Sequence, residues 1–375
     1  MLKIIGEDGS GFDNMPDADR CTDFQSNATR AKTHIEGGDW EAAYPYLKRA
    51  VEMNPNYAEG YNHLGVFYSR NKNYMEAINN FKKALRCDFT LIEAHYNIGS
   101  LYVERKEYNM ALPHFKEVVL ANPEDYETYF LMGLCSIHCN EENAAEAFFT
   151  ESCKLNRDYA PSVIELSKLL IKKENLGKAK NILLCLLMNE PSNAEVHFLL
   201  GIIYKAQKKY VKAIHHLRET LMKNQNAEAY NLLGECCLES GIEADIEKEA
   251  EAFFVMATRL DTSYSDAYLN LGNFYYSRKR YFDAISTLEE YVKYTEAIDN
   301  VNVLWSDSPK KKTEEMVPFY NLLGCSYKMT KNSFMARTFW EKSLAIQPQQ
   351  ESIKNALSSL EQPINLHKRI SLTID

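Results

Sequence analysis

The chain has 375 residues, with 43 Lys and Arg against 52 Asp and Glu, which gives a formal charge of −9 at pH 7. This acidic balance disfavours a nucleic-acid-binding surface and broad attraction to anionic membranes. No stretch approaches the roughly 18 consecutive apolar residues of a membrane-spanning helix. The apolar run in the opening MLKIIGEDGSGF is too short for a secretion signal, and nine cysteines without framework spacing suit reduced thiols. These features predict a cytoplasmic protein.

Residues 1–23 are rich in glycine and acidic residues, and we expect a flexible acidic leader. An alternative is that this segment folds over the rest of the chain. From residue 24 onward the composition changes, because apolar and small residues begin to recur at regular spacing. The segment Ala58–Leu91 shows the pattern most clearly. Each of its halves has apolar or small residues at i, i+3, i+4 and i+7, which predicts two amphipathic helices joined by a polar break.

This pattern of about 34 residues occurs nine times between residues 24 and 350. The copies span 24–57, 58–91, 92–125, 126–159, 160–193, 194–226, 227–264, 265–298 and 317–350. With Ala58 as position 1, position 8 is small, position 20 is alanine and position 24 is large and apolar in every copy. A glycine inside a helix costs about 1 kcal/mol relative to alanine, yet seven copies carry glycine at position 8. We therefore expect positions 8 and 20 to let the paired helices approach, with position 24 filling the space beside that contact.

The spacing of Leu-Gly, Tyr, Ala, Phe and Pro in these copies resembles the tetratricopeptide repeat family. The resemblance covers residues 24–350, although the proline at position 32 occurs in only four copies. It implies an all-α fold: a right-handed superhelical solenoid of nine helix-turn-helix hairpins. We expect a helix over 351–361 to cap the last hairpin, and residues 362–375 to form a tail. The family further implies a scaffold or adaptor that binds other proteins.

The largest irregularity is an insertion at residues 299–316, which contains an apolar cluster with Trp305 and then a basic run with Lys310 and Lys311. One interpretation is a longer hairpin in which Trp305 packs on its own repeat. The other is a second docking loop for a partner.

Catalytic motifs are absent from the sequence, and only 48 residues lie outside the region 24–350. There is no Gly-rich phosphate loop, no Gly-x-Ser-x-Gly and no His-Glu-x-x-His. We therefore expect neither enzymatic activity nor a cofactor. Cys135, His138 and Cys139 could share one helix face and bind a metal ion. Since Cys135 is at position 10, inside the predicted hairpin packing, we interpret these residues as structural and expect no metal site.

In the family, the first helices of successive hairpins line the concave surface with positions 2, 5, 6, 9, 12 and 13. Position 2 is acidic in six copies, and the position 2 acids are Glu59, Glu93, Glu127, Glu195, Glu228 and Asp266. No copy pairs Lys at position 2 with Arg at position 6, so the clamp that some members use for a peptide's terminal carboxylate is not expected. The helix dipole favours acids in a first turn and accounts for them locally.

The other concave positions are apolar in the middle of the chain, where solvated residues would be polar. The candidate partner-binding residues are Tyr96, Asn97, Phe130, Leu134, Ile137, Phe198, Ile202 and Asn270. An exposed apolar patch usually marks a binding site, unless curvature or another segment buries it. We expect a protein or peptide partner, bound through an apolar or amphipathic segment of helical form, and no nucleic acid or membrane insertion. The alternatives are a dedicated assembly or secretion chaperone for one client, and a scaffold that assembles with copies of itself.

Overall fold

The structure is a computed structural model that describes residues 23–240, 244–302 and 314–361, with the backbone alone for 244–248, 298–302 and 361. Three predicted features lie outside these residues: the leader up to residue 22, the docking residues Trp305, Lys310 and Lys311, and the tail 362–375.

The described residues form nineteen α-helices and no strands, and all but the last helix pair into consecutive hairpins. The first helices of the hairpins are α1 (Phe24–Glu36), α3 (Ala58–Arg70), α5 (Ile92–Glu104), α7 (Tyr126–His138), α9 (Ala160–Lys172), α11 (Ala194–Ala206), α13 (Ala227–Ser240), α15 (Ser265–Ser277) and α17 (Val317–Met329). The second helices are α2 (Trp40–Met53), α4 (Tyr74–Cys87), α6 (Tyr108–Ala121), α8 (Glu142–Leu155), α10 (Leu176–Asn189), α12 (Tyr210–Lys223), α14 (Ala244–Leu260), α16 (Tyr281–Asn302) and α18 (Ser333–Ile346), and α19 (Glu351–Glu361) follows.

Helix α16 is longer than the pattern predicts. It has 22 residues, whereas most second helices have 14, and it continues four residues past the predicted end of its copy at 298. No glycine or proline occurs between Tyr281 and Asn302, so nothing in the local sequence ends the helix earlier.

The chain divides within α10 into two compact units, residues 1–182 and 183–375, called unit 1 and unit 2 below. Each unit is described by itself. Unit 1 contains α1 to α9, and unit 2 contains α11 to α19.

Within each hairpin, the large side chain at position 24 lies directly on the glycine at position 8. A methyl group on Gly133 would lie 2.4 Å from Cε1 of Phe149, and one on Gly201 would lie 2.7 Å from Leu217. The other hairpins that carry this glycine show the same approach, at 2.3–2.8 Å. The prediction of close helix packing is confirmed in these hairpins, but one detail was wrong: the large residue covers the glycine itself instead of filling space beside it.

The turn inside each hairpin places position 15 in the left-handed region. Lys72 has φ 58°, its backbone N–H donates to Ser69 O at 2.9 Å, and the N–H of Asn73 donates to Tyr68 O at 2.9 Å. This pair of bonds is the Schellman arrangement, which satisfies the last carbonyl groups of a helix. Six further hairpins have a non-glycine residue at φ 57–63° or, in the first hairpin, Gly38 at φ 78°. The turn therefore ends the first helix at a constant place and orients the second.

Candidate functional site: the face of the first helices

The candidate site comprises partly exposed side chains on one face of the first helices, called the first-helix face below. On α7, Phe130, Leu134 and Ile137 are half-buried and follow one another at i, i+4 and i+7. The fully buried side chains of the same helix, including Met132 and Cys135, lie at other positions. Since residues at these spacings share one side of a helix, α7 presents one stripe to the core and a second apolar stripe that remains partly open to solvent.

Phe130 differs from its two neighbours on this stripe, because its ring is used in packing. The Phe130 ring centroid lies 5.9 Å from that of Phe149 in the same hairpin and 5.5 Å from that of Tyr159 beyond it. Edge-to-face and tilted ring pairs of this kind stabilise the fold. Leu134 and Ile137 are therefore better probes of binding than Phe130, which sequence reasoning treated as a free anchor.

Tyr96 and Asn97 lie on the neighbouring first helix, α5, and both are half-buried. The ring of Tyr96 packs at 6.2 Å from that of Phe115. The side-chain amide of Asn97 donates to Oδ1 of Asn62 on α3 at 3.0 Å. This bond joins position 5 of one hairpin to position 6 of the next, so part of the hydrogen-bonding capacity of Asn97 already holds adjacent hairpins together.

Unit 2 repeats the same asparagine pair. Asn270 on α15 donates to Oδ1 of Asn231 on α13 at 3.0 Å, and also to Oε1 of Glu235 at 2.6 Å. Glu235 in turn forms an ion pair with Lys205. The other two predicted residues of this unit, Phe198 and Ile202, are half-buried on α11. Sequence reasoning singled out Asn97 and Asn270 but missed their partners, although asparagine at position 5 of the preceding copy was a visible signal.

A cavity of about 400 Å³ opens on the first-helix face of unit 1, between α3, α5 and the end of α6. Tyr96 and Asn97 line it, whereas Phe130, Leu134 and Ile137 do not. Its other polar lining residues are Asn62, His63, Glu93, Asn122 and Asp125. This volume is within the range of pockets that bind small ligands or single side chains. The structure thus brings a position 2 acid, which sequence reasoning explained by the helix dipole alone, to the edge of a pocket.

The charges around this cavity are mainly negative. Asp125 caps α7: its carboxylate accepts from the Thr128 backbone N–H at 3.2 Å and from the Thr128 hydroxyl at 2.7 Å. Glu93 has no hydrogen bond or ion pair within the described part of the chain. Burial lowers the pKa of His63, the carboxylates of Glu59 and Glu93 oppose that shift, and Lys32 reinforces it. His63 is therefore neutral near pH 7, and no Lys or Arg lines the cavity.

Two buried histidine pairs with the same geometry were not foreseen. His95 and His114 approach at 3.1 Å between their Nδ1 atoms in unit 1, and His197 and His216 approach at 3.0 Å in unit 2. Nε2 of His95 lies 2.9 Å from Phe89 O. A carbonyl only accepts, so this nitrogen carries the proton, and in the neutral pair Nδ1 of His95 accepts from His114. The signal in the sequence was a pair of histidines 19 residues apart at positions 4 and 23 of both copies.

The three residues considered as metal ligands do not converge. Cys135 is fully buried, and burial raises the pKa of its thiol to about 12. The ring of His138 stacks on Tyr108 at 4.1 Å, and Sγ of Cys139 donates to Oδ1 of Asn109 at 2.9 Å. Each side chain thus has a separate structural contact with α6 or with the core.

The most exposed large apolar side chains lie away from the first-helix face, on the second helices. At position 18 the exposed fractions are 63% for Met75, 65% for Val211, 77% for Phe282 and 76% for Phe334. Sequence reasoning did not single out these positions. Within the described residues, no helix is long and apolar enough to cross a membrane.

Models of the tetratricopeptide repeat match five segments of the chain: residues 24–57, 46–79, 92–125, 126–159 and 266–294. No curated protein matches.

Among solved structures, the C-terminal part of a TPR repeat-containing protein from Cytophaga hutchinsonii is 13% identical, with a TM-score of 0.52 over 70% of this chain and 99% of that one. The APC/C hetero-tetramer Cut9-Hcn1 is 16% identical, with a TM-score of 0.50 over 90% of this chain and 63% of that one. MamA from Desulfovibrio magneticus RS-1 is 22% identical, with a TM-score of 0.42 over 45% of this chain and 96% of that one. At these identities the first two similarities concern the fold alone. Together with the repeated residue pattern and the helical hairpins, the matched segments identify the chain as a tetratricopeptide repeat protein.

Proposed function

We propose that this protein is a non-enzymatic scaffold that binds a segment of a partner protein on its first-helix face. The observation that carries the proposal is the half-exposed apolar stripe formed by Leu134 and Ile137 on α7, with Ile202 at the equivalent position 9 on α11 of unit 2. Polar side chains at these positions would leave the core intact, because the core of α7 is made by other residues. Apolar side chains kept at the surface are typical of interaction sites.

The partner segment that suits this face is apolar or amphipathic and helical. A helix laid against an apolar face is anchored by a few side chains spaced at i, i+3, i+4 and i+7. Such anchors contribute most of the binding free energy, and the surrounding contacts mainly exclude water. Binding is the whole activity in this proposal, and no bond is made or broken. The eight cysteines that the structure describes are unpaired, which supports a cytoplasmic location for the scaffold.

The test compares variants on and off the face. Leu134→Asp with Ile137→Asp in unit 1, and Ile202→Asp in unit 2, each put a charge on the proposed surface. The matched control is Val211→Asp, which changes an exposed apolar residue on a second helix. Partners captured from the native cell by the unaltered protein are identified by mass spectrometry, and their affinities for each variant are then measured with purified partner.

Loss of one buried anchor typically costs 2 kcal/mol or more, so we expect affinity for at least one of the face variants to fall about a hundredfold when two anchors are lost or a charge is buried. The Val211 control should bind normally, and circular dichroism should stay helical for all variants. Unchanged affinity of folded face variants, or equal loss in the Val211 control, would contradict the proposal.

A further inference from the structure

The cavity in unit 1 has a lining whose chemistry selects its occupant. We propose that it receives a single basic side chain, lysine or arginine, of the bound partner segment. This inference rests on the proposed function, because it assigns a chemical identity to one part of a peptide bound on the first-helix face.

The first argument is charge. Glu93 stands at the cavity in the first turn of α5 without a cationic partner in the described part of the chain. Asp125 adds a second carboxylate, although the N-terminus of α7 partly compensates its charge. Two further carboxylates act at longer range, Glu59 on His63 and Glu127 on Tyr96. Among the groups that act on His63, only Lys32 is positive. A cation is therefore favoured in this cavity.

The second argument is the contrast with unit 2. There, a carboxylate on the same face, that of Glu235, has a cation from its own chain, since Lys205 forms an ion pair with it. The amide of Asn270 also donates to Glu235. Unit 2 thus neutralises its carboxylate internally, whereas Glu93 in unit 1 has no such partner. A partner-supplied cation would complete in unit 1 what Lys205 completes in unit 2.

The third argument is shape and polarity. Val66 and Val118 form apolar parts of the cavity wall, which suits the methylene stem of a long side chain. Burial raises the pKa of Tyr96, and the charges of Glu127 and Asp125 add to that shift, so its phenol stays neutral and its ring can receive a cation over its face. Asn97 uses its N–H group towards Asn62, which leaves its carbonyl oxygen as an acceptor for the same cation.

The experiment uses the full chain and peptides selected on it from a random-peptide phage library. Selected peptides are synthesised in three forms: as selected, with each arginine replaced by citrulline, and with each lysine replaced by norleucine. Affinities are measured by fluorescence anisotropy for the unaltered protein, for Glu93→Gln and for the control Glu124→Gln. Glu124 is an exposed carboxylate next to Asp125 that does not line the cavity.

We expect one basic residue at a fixed place in the selected peptides. Its neutral replacement should weaken binding to the unaltered protein and to Glu124→Gln about tenfold, as expected for loss of one hydrogen bond to a charged group. With Glu93→Gln, the basic and neutral peptides should bind equally, and high salt should no longer matter. The inference is overturned if neutral peptides bind the unaltered protein as tightly as basic ones, or if the basic preference survives in Glu93→Gln.

The Leu134→Asp, Ile137→Asp variant separates this inference from the proposed function. If peptides lose affinity for that variant but show no basic preference, the first-helix face binds peptides and only the cavity assignment is wrong. If no peptide is selected, or if the selected peptides bind that variant normally, both proposals fail for unit 1.

Discussion

The contact between Gly133 and Phe149 gives the most direct test of how the hairpins pack. In Gly133→Ala, the new methyl group would lie 2.4 Å from Cε1, 2.5 Å from Cδ1 and 2.9 Å from Cζ of Phe149. The Phe149 ring is completely buried, so it cannot swing away into solvent. Overpacking of this kind costs about 1–3 kcal/mol, and the higher helix propensity of alanine offsets about 1 kcal/mol of that cost. We expect a net loss of about 1–2 kcal/mol in the free energy of unfolding.

The matched control is Gly177→Ala in α10, where nothing lies within 4 Å of the added methyl group. It should be neutral or stabilise the protein by up to about 1 kcal/mol. Both variants are compared by urea unfolding followed by far-UV circular dichroism. In a Phe149→Val background the three contacting ring atoms are gone, so Gly133→Ala should become neutral or stabilising there. An equal loss of stability from Gly133→Ala in both backgrounds would refute the packing argument.

Three further predictions concern the turns, the histidine pairs and the thiols. Lys106 has φ 62°, so Lys106→Gly should relieve left-handed strain and raise the urea midpoint by an amount corresponding to about 0.5–1 kcal/mol; a lower midpoint would contradict this. Burial, then the charge of the paired histidine, lowers the pKa of His114 and His216 to about 4 from 6.5. The unfolded chain therefore binds protons first as the pH falls, and stability that is complete above pH 6.5 should decrease between pH 6.5 and 4, by about 1–2 kcal/mol per pair after solvent screening of these half-buried rings; a flat profile across this window, or an unaltered profile in His114→Gln with His216→Gln, would oppose it. Cys185 is exposed, whereas burial raises the pKa of the Cys135 thiol to about 12, so a thiol reagent should label Cys185 in the folded protein and Cys135 only after unfolding; mass spectrometry of tryptic peptides reads the order of labelling, and early reaction of Cys135 would be the contrary result.

The sequence by itself determined the local architecture. Helix positions follow from the 3.6-residue periodicity, which acts within a single helix, and the hairpin follows from small residues at positions 8 and 20. The length of each first helix follows from the turn at position 15. These signals are encoded within about 34 residues, so they could be read without knowing how one hairpin meets the next. The cost of seven glycines inside helices already indicated close packing.

Contacts between hairpins were decided only by the tertiary structure. Phe130 looked like a free anchor, but it packs on Tyr159, which is 29 residues further along the chain. The acid at Glu93 looked like a dipole effect, but it stands at a cavity that residues from three helices enclose. A residue's position in the repeat gives the direction of its side chain, but which neighbour occupies that direction depends on the next hairpin. Because that neighbour is distant in sequence and different in each copy, the binding face becomes specific only when successive hairpins stack.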